Sequence, residues 1–133
     1  MYGKKVGVVS CSGEGCVEGT ISRVATRLVL EKYRPQETVT ICLPLFLAGD
    51  AEERAFAKEY PTITVDGCDK LCGKIGTERH SGKPASSIVI TDLTKKWNCS
   101  RLHSRRRLDD ETLVVAERVA EKIWQEVDKI TKS

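Results

Sequence analysis

The sequence predicts an α/β fold: a compact three-layer, Rossmann-like domain on a mostly parallel sheet of about four strands. Three observations carry this. Short runs rich in valine, isoleucine and threonine recur at 5–10, 38–43, 62–65 and 86–91. Segments with helical apolar spacing lie between them or after the last of them. The 133 residues, 40% hydrophobic and 31% charged, suffice for one domain, 1–133, with a core of its own.

Val6, Val8 and Val9 centre the first strand. The loop 11–19 follows, with three glycines in nine residues. Thr20 caps a helix to about Tyr33, whose apolar face is Ile21, Val24, Ala25, Leu28 and Val29, and Pro35 stops it. The second strand, 38–43, ends at Pro44. Asp50 starts a short helix, Glu53 completes a capping box, and Pro61 closes it. The third strand, 62–65, runs into Asp66-Gly67-Cys68. A helical piece covers 69–80, weakened by Gly73 and Gly76, each costing about 1 kcal/mol relative to alanine.

After the fourth strand, 86–91, the chain reads as irregular and basic, with 94–107 connecting to a C-terminal helix over 109–130. In that helix Leu113, Ala116, Ala120, Ile123, Val127 and Ile130 alternate spacings of three and four, and Val119 and Trp124 widen the stripe. A stripe that wide suits docking on a sheet better than a coiled-coil seam. Asp109, Asp110 and Glu111 stand at the positive end of its dipole. Right-handed crossovers then gather the loops that follow the strands on one edge, where folds of this class bind ligands.

Composition narrows the function. The longest uncharged apolar stretch, 41–48, is broken by Pro44 and falls far short of the roughly 18 residues a membrane span needs. No membrane partner is expected, and with no signal segment evident at the start the expected location is cytoplasmic. The net charge of +3 divides into +6 over 1–107 and −3 over 108–133. Six cysteines without a secretory signal favour metal or thiol chemistry over a disulfide framework. Glu52-Glu53 and Asp109-Asp110-Glu111 are explained by helix starts. No carboxylate pair or Ser-His-Asp arrangement stands out, so no catalytic residue is assigned and enzymatic activity stays open.

Four cysteines fall at or near the carboxyl ends of the first three strands: Cys11, Cys42, Cys68 and Cys72. If those strands are neighbours, four thiolates hold Zn²⁺ in a tetrahedron with Zn–S of about 2.3 Å, or equally an iron–sulfur cluster. Cys68 and Cys72 are one helical turn apart. Cys16 and Cys99 have no assigned role. Asp66 reads either as a turn former or as an acceptor for the Gly67 and Cys68 amides.

In this order the chain resembles the DGC domain family, small proteins regarded as zinc-binding and named after their Asp-Gly-Cys motif. The matching residues are Cys11-Ser12-Gly13, Gly19 with Ser22-Arg23, Cys42-Leu43-Pro44, and Val65-Asp66-Gly67-Cys68 with Cys72, over about residues 5–93. The resemblance implies zinc held by Cys11, Cys42, Cys68 and Cys72, and no settled biochemical role. Gly73 departs from the helix-forming residue more common there. The expectation is a small cytoplasmic protein in which Zn²⁺ ties three loops together.

Two other readings stand beside it. A thiol- or sulfur-handling or iron–sulfur redox protein would use Cys11 as attacking thiolate, Cys16 or Cys72 as resolving thiol and Arg23 as anion contact. An RNA-binding module would use Arg101, Arg105, Arg106 and Arg107 with Trp97 as stacking platform. Where the loop 11–19 enters the first helix, exposed N–H groups would attract a small anion. Known phosphate motifs do not match there: Gly19 precedes Thr20-Ile21 rather than Lys-Ser/Thr, and a dinucleotide fingerprint would need its third glycine at Glu18. His80 and His103 lack metal-like spacing and read as surface residues. The oligomeric state is open.

Overall fold

A computed structural model describes residues 5–99, 102 and 107–132. Strands β1 (Val6–Ser10), β2 (Thr38–Val39), β3 (Thr62–Asp66) and β4 (Ser86–Val89) form one sheet in the order β2-β1-β3-β4. Every pairing is parallel, with Val8 opposite Ile63 and Val65 opposite Ile88. The three-layer, Rossmann-like α/β architecture is as the sequence predicts.

Val6, Val8, Ile63, Val65 and Ile88 face one side of the sheet. There they meet Ile21, Ala25 and Val29 of the first helix and Val119, Ile123 and Val127 of the last. The first helix, α1 (Val17–Leu28), continues as a π-helical turn, Val29–Tyr33. The last, α7 (Asp110–Lys132), is held at its start by Asp109, whose Oδ1 accepts from the Thr112 N–H at 2.9 Å. The Arg34 guanidinium fastens the end of the π-turn to α7. It donates twice to Asp128, both at 2.8 Å, and lies 4.5 Å over the Trp124 ring. The opposite side carries α4 (Phe56–Glu59) and α5 (Cys72–His80). A Cβ at Gly7 would stand 2.4 Å from the Phe56 ring, so glycine lets that ring lie against the sheet.

The structure departs from the sequence reading at several elements. α1 begins at Val17 with Cys16 in the N-cap position, ahead of the predicted Thr20 cap. β2 stops at Val39, and the rest of the predicted strand turns into α2 (Leu43–Ala48). Pro44 sits in the first turn of α2, where a missing N–H costs nothing, and Gly49 at φ +99° ends the helix. Asp50 caps α3 (Ala51–Arg54) as expected, its carboxylate accepting from the Glu53 N–H at 3.1 Å. The Glu53 carboxylate does not complete the box and accepts instead from the Cys42 N–H at 3.2 Å. The fourth strand stops at Val89, and α6 (Ile90–Lys96) takes up its predicted end and the start of the predicted irregular stretch, with Ile90 and Thr94 buried one turn apart. Among the described residues, no helix is long and apolar enough to cross a membrane.

Candidate functional site

In the order β2-β1-β3-β4 the chain leaves β1 toward one edge and returns to β3 on its other side. The switch point of the topology therefore lies between the ends of β1 and β3, the usual ligand crevice of open parallel sheets. The loops that follow those two strands meet there. The Cys11 N–H donates to the Val65 carbonyl at 2.9 Å, and the Gly67 N–H donates to Cys11 Sγ at 3.4 Å. Ser22 Oγ accepts from the Ser12 N–H at 3.1 Å and gives its single proton to the Gly19 carbonyl at 2.6 Å. In the 3.5 Å contact between Cys11 Sγ and Ser22 Oγ the thiol is then the donor.

The two loops meet α1 backbone against backbone. A Cβ on Gly19 would fall 1.7 Å from the Gly13 carbonyl oxygen. A Cβ on Gly67 would fall 2.7 Å from the Gly19 nitrogen and 2.8 Å from the Glu18 carbonyl carbon. The loop 11–16 turns through Ser12, a non-glycine residue at φ +54°. It delivers the chain into α1 without a side-chain cap on the helix. Cys16, in the cap position, turns its thiol to the Gly13 carbonyl at 3.9 Å. Glu14 reaches from the loop to Arg23 on α1, with Oε1 3.2 Å from Nε.

Asp66 ends β3 and is 1% exposed. It accepts from the Gly73 N–H at 2.6 Å and the Lys74 N–H at 3.1 Å, and so caps α5. These amides belong to the helix start and not to Gly67 and Cys68, whose amides are one of the two readings of Asp66 from the sequence. They explain why α5 begins at Cys72 rather than at 69. Burial pushes the Asp66 carboxyl above its ordinary range, and the two amide bonds and the Lys74 charge only partly oppose that. A Cβ on Gly73 would stand 2.9 Å from Asp66 Oδ1, so the glycine that weakens the helix admits its cap.

The predicted metal centre is not formed. Among the described residues no three Cys, His, Asp or Glu side chains gather into a group able to hold a metal ion. Cys11 and Cys68 are half-buried, and Cys42 and Cys72 are exposed. The early end of β2 is one reason: it leaves Cys42 on the cap of α2 instead of at a strand end beside Cys11. The Asp66 cap is the other, because it fixes α5 with Cys72 exposed on its first turn. This overturns both the Zn²⁺ and the iron–sulfur expectations for Cys11, Cys42, Cys68 and Cys72.

The two further readings are also corrected. All six cysteines are free, and Cys11 and Cys16 bond to different partners. No paired thiols support a redox or sulfur-handling role. Trp97 packs against the core, and its ring is covered by the Arg118 guanidinium at 4.1 Å, which removes the stacking platform of the RNA-binding reading. Of the arginines in that reading, Arg101, Arg105 and Arg106 lie outside the described residues, as does His103. Arg107 stands just ahead of α7. Cys99 packs partly buried against the core, and His80 meets the Phe46 ring edge-on at 6.0 Å.

The sequence reading missed the interlock of Gly13, Gly19 and Gly67 and the pivotal place of Ser22. The signal available for them was glycine itself, recurring where two loops face one helix start. The match to known proteins runs further than the 5–93 of the sequence resemblance, into α7. The chain belongs to the DGC domain family, whose model matches residues 7–127. No curated protein and no solved structure matches the chain.

Proposed function

We propose that this member of the DGC domain family binds a small anion of phosphate or sulfate size between the ends of β1 and β3. Its seat is the loop 11–16 and the first turn of α1. The observation that carries this is a twelve-residue helix, α1, entering the switch-point crevice with no side-chain cap. The first N–H groups of a helix have no acceptor within it. Together with the dipole, worth about half a positive charge at that end, they attract an anion. Gly13 and Gly15 in the exposed loop keep side chains away from the approach. Arg23 supplies a guanidinium at the loop, where it now contacts Glu14. No covalent step on the ligand belongs to this reading.

The test is a titration of the full chain with sodium phosphate, followed by backbone amide NMR, against sodium chloride at matched ionic strength. Saturable shifts concentrated at Gly13, Gly15, Val17, Glu18 and Gly19 are expected. Arg23→Gln should weaken the binding. A bound anion also raises the unfolding temperature, because a ligand of the native state at about 100 times its Kd adds about 2.7 kcal/mol. Shifts that are uniform, or the same in chloride, would refute the reading.

A further inference from the structure

We propose that two copies of this chain associate through β4, pairing these strands antiparallel about a two-fold axis at Ser87, so that one sheet runs through the dimer. β4 is an edge strand. β3 turns the main-chain groups of Pro61 and Val65 to β1, their carbonyls accepting from the Gly7 and Cys11 N–H groups at 2.8 and 2.9 Å. Main-chain groups alternate sides along a strand. Ile63 and Val65 therefore face β1, and their ladder partners Ser86 and Ile88 point the same way, at β3, while Ser87 and Val89 present their N–H and C=O groups outward.

Natural sheets protect such an edge with charges, proline, a bulge or extreme shortness. The opposite edge, β2, has only two residues. β4, Ser86-Ser87-Ile88-Val89, is longer and carries no charge and no proline. Its pairing with β3 runs through all four residues without a bulge. A groove of about 350 Å³ borders the strand, with Leu93 and Asp92 of α6 and Lys122, Glu126 and Lys129 of α7 among its walls.

The charges select a second copy. Glu126 stands at the start of β4, where its carboxylate accepts from Ser86 Oγ at 2.7 Å and pairs with Lys129 at 2.9 Å. With Lys122 this wall is net positive. Asp92 stands just beyond the other end of the strand, in the first turn of α6. An antiparallel two-fold sets the start of one β4 beside the end of the other. It thus brings Asp92 of the second copy toward the lysine wall, twice per dimer. In this register Ser87 exchanges both main-chain bonds with Ser87 of the second copy. Ser87 faces Ser87 as a hydrogen-bonded pair, with Cα atoms about 5.5 Å apart.

Sedimentation velocity of the purified full chain from micromolar to millimolar concentration tests this. A monomer–dimer equilibrium is expected. Ser87→Lys, at an exposed position, opposes two like charges across the axis and should weaken the dimer about tenfold or more while leaving the monomer's circular dichroism unchanged. Ser87→Cys should give a covalent dimer on mild oxidation with diamide. Peptide mapping should join position 87 to position 87, since the separation suits a disulfide. The unsubstituted chain, with its own six cysteines, is the control. A monomer at every concentration, as when the edge serves a different protein's strand, would overturn the proposal. So would a dimer that survives Ser87→Lys and gives no 87–87 link.

Discussion

Gly67→Ala asks whether the loops and α1 are held as closely as their backbones indicate. The added Cβ would meet the Gly19 nitrogen at 2.7 Å and the Glu18 carbonyl carbon at 2.8 Å, whereas ordinary contact begins at 3.4 Å. The first turn of α1 and the loop after β3 must therefore part by about 0.7 Å. Both atoms are main chain, so no side chain can rotate out of the way. Gly67 is also pinned from two sides, its N–H on Cys11 Sγ at 3.4 Å and its carbonyl under the Thr91 N–H at 3.1 Å. Its φ is not in the left-handed region, so the cost arises from space alone. Overpacking of this kind costs about 1–3 kcal/mol. Gly76→Ala is the internal control: in the middle of α5 its Cβ meets nothing within 4 Å, and alanine there should stabilise by about 0.8–1 kcal/mol. Urea unfolding measures both, the midpoints moving in opposite directions at constant m-value. A Gly67→Ala chain as stable as the parent would refute the close approach.

Two further substitutions concern charge. Asp66→Asn places an amide NH₂ against one of the two α5 N–H donors and should cost about 1–3 kcal/mol. Burial raises the Asp66 carboxyl, so the folded state holds that proton more tightly than the unfolded state. The parent loses stability as pH rises from the ordinary carboxylate range through the raised folded value, and the asparagine variant does not. The gap between them should narrow with rising pH in urea unfolding, and a widening gap would show a depressed carboxyl instead. Asp128 has the opposite sign: the Arg34 hydrogen bonds hold its carboxyl below the usual range. Arg34→Met should therefore cost about 1 kcal/mol near neutral pH. That loss should vanish as pH falls below about 4 and on through the lowered folded value. A pH-independent loss would assign the effect to the stacking on Trp124.

The parts legible in the sequence were those with one dominant local signal. β1 and β3 are β-branched runs bounded by turns, and α7 announces itself by its stripe and by Asp109. Where two signals competed, the sequence misled. Ile41-Cys42-Leu43 has the residues of a strand, and Pro44 after it reads as a strand end. The same proline is also favoured in the first turn of a helix, and the αL glycine at 49 settles the contest for α2. The β-branched run 86–91, which takes in Ile90, concealed that residue's one-turn spacing from Thr94 in α6. At the site, the positions of Cys11 and Cys68 after β1 and β3 were legible. The convergence of all four cysteines was not, because it depended on β2 reaching Cys42.

The Asp66-Gly67-Cys68 motif illustrates why residue type alone misassigned the site. Ligands must offer free donor atoms that converge. In this turn most polar groups are already committed to holding elements together. The Asp66 carboxylate is spent on the Gly73 and Lys74 amides, and the Cys68 carbonyl accepts from the Leu71 N–H at 3.3 Å. The absent side chain of Gly67 admits α1, and its N–H goes to Cys11. The motif thus joins the ends of β1 and β3 to the starts of α1 and α5, which is the work a metal ion was expected to perform. Protein hydrogen bonds already tie these loops, and α1 enters this edge with no side-chain cap. That uncapped start is where the proposed anion would sit.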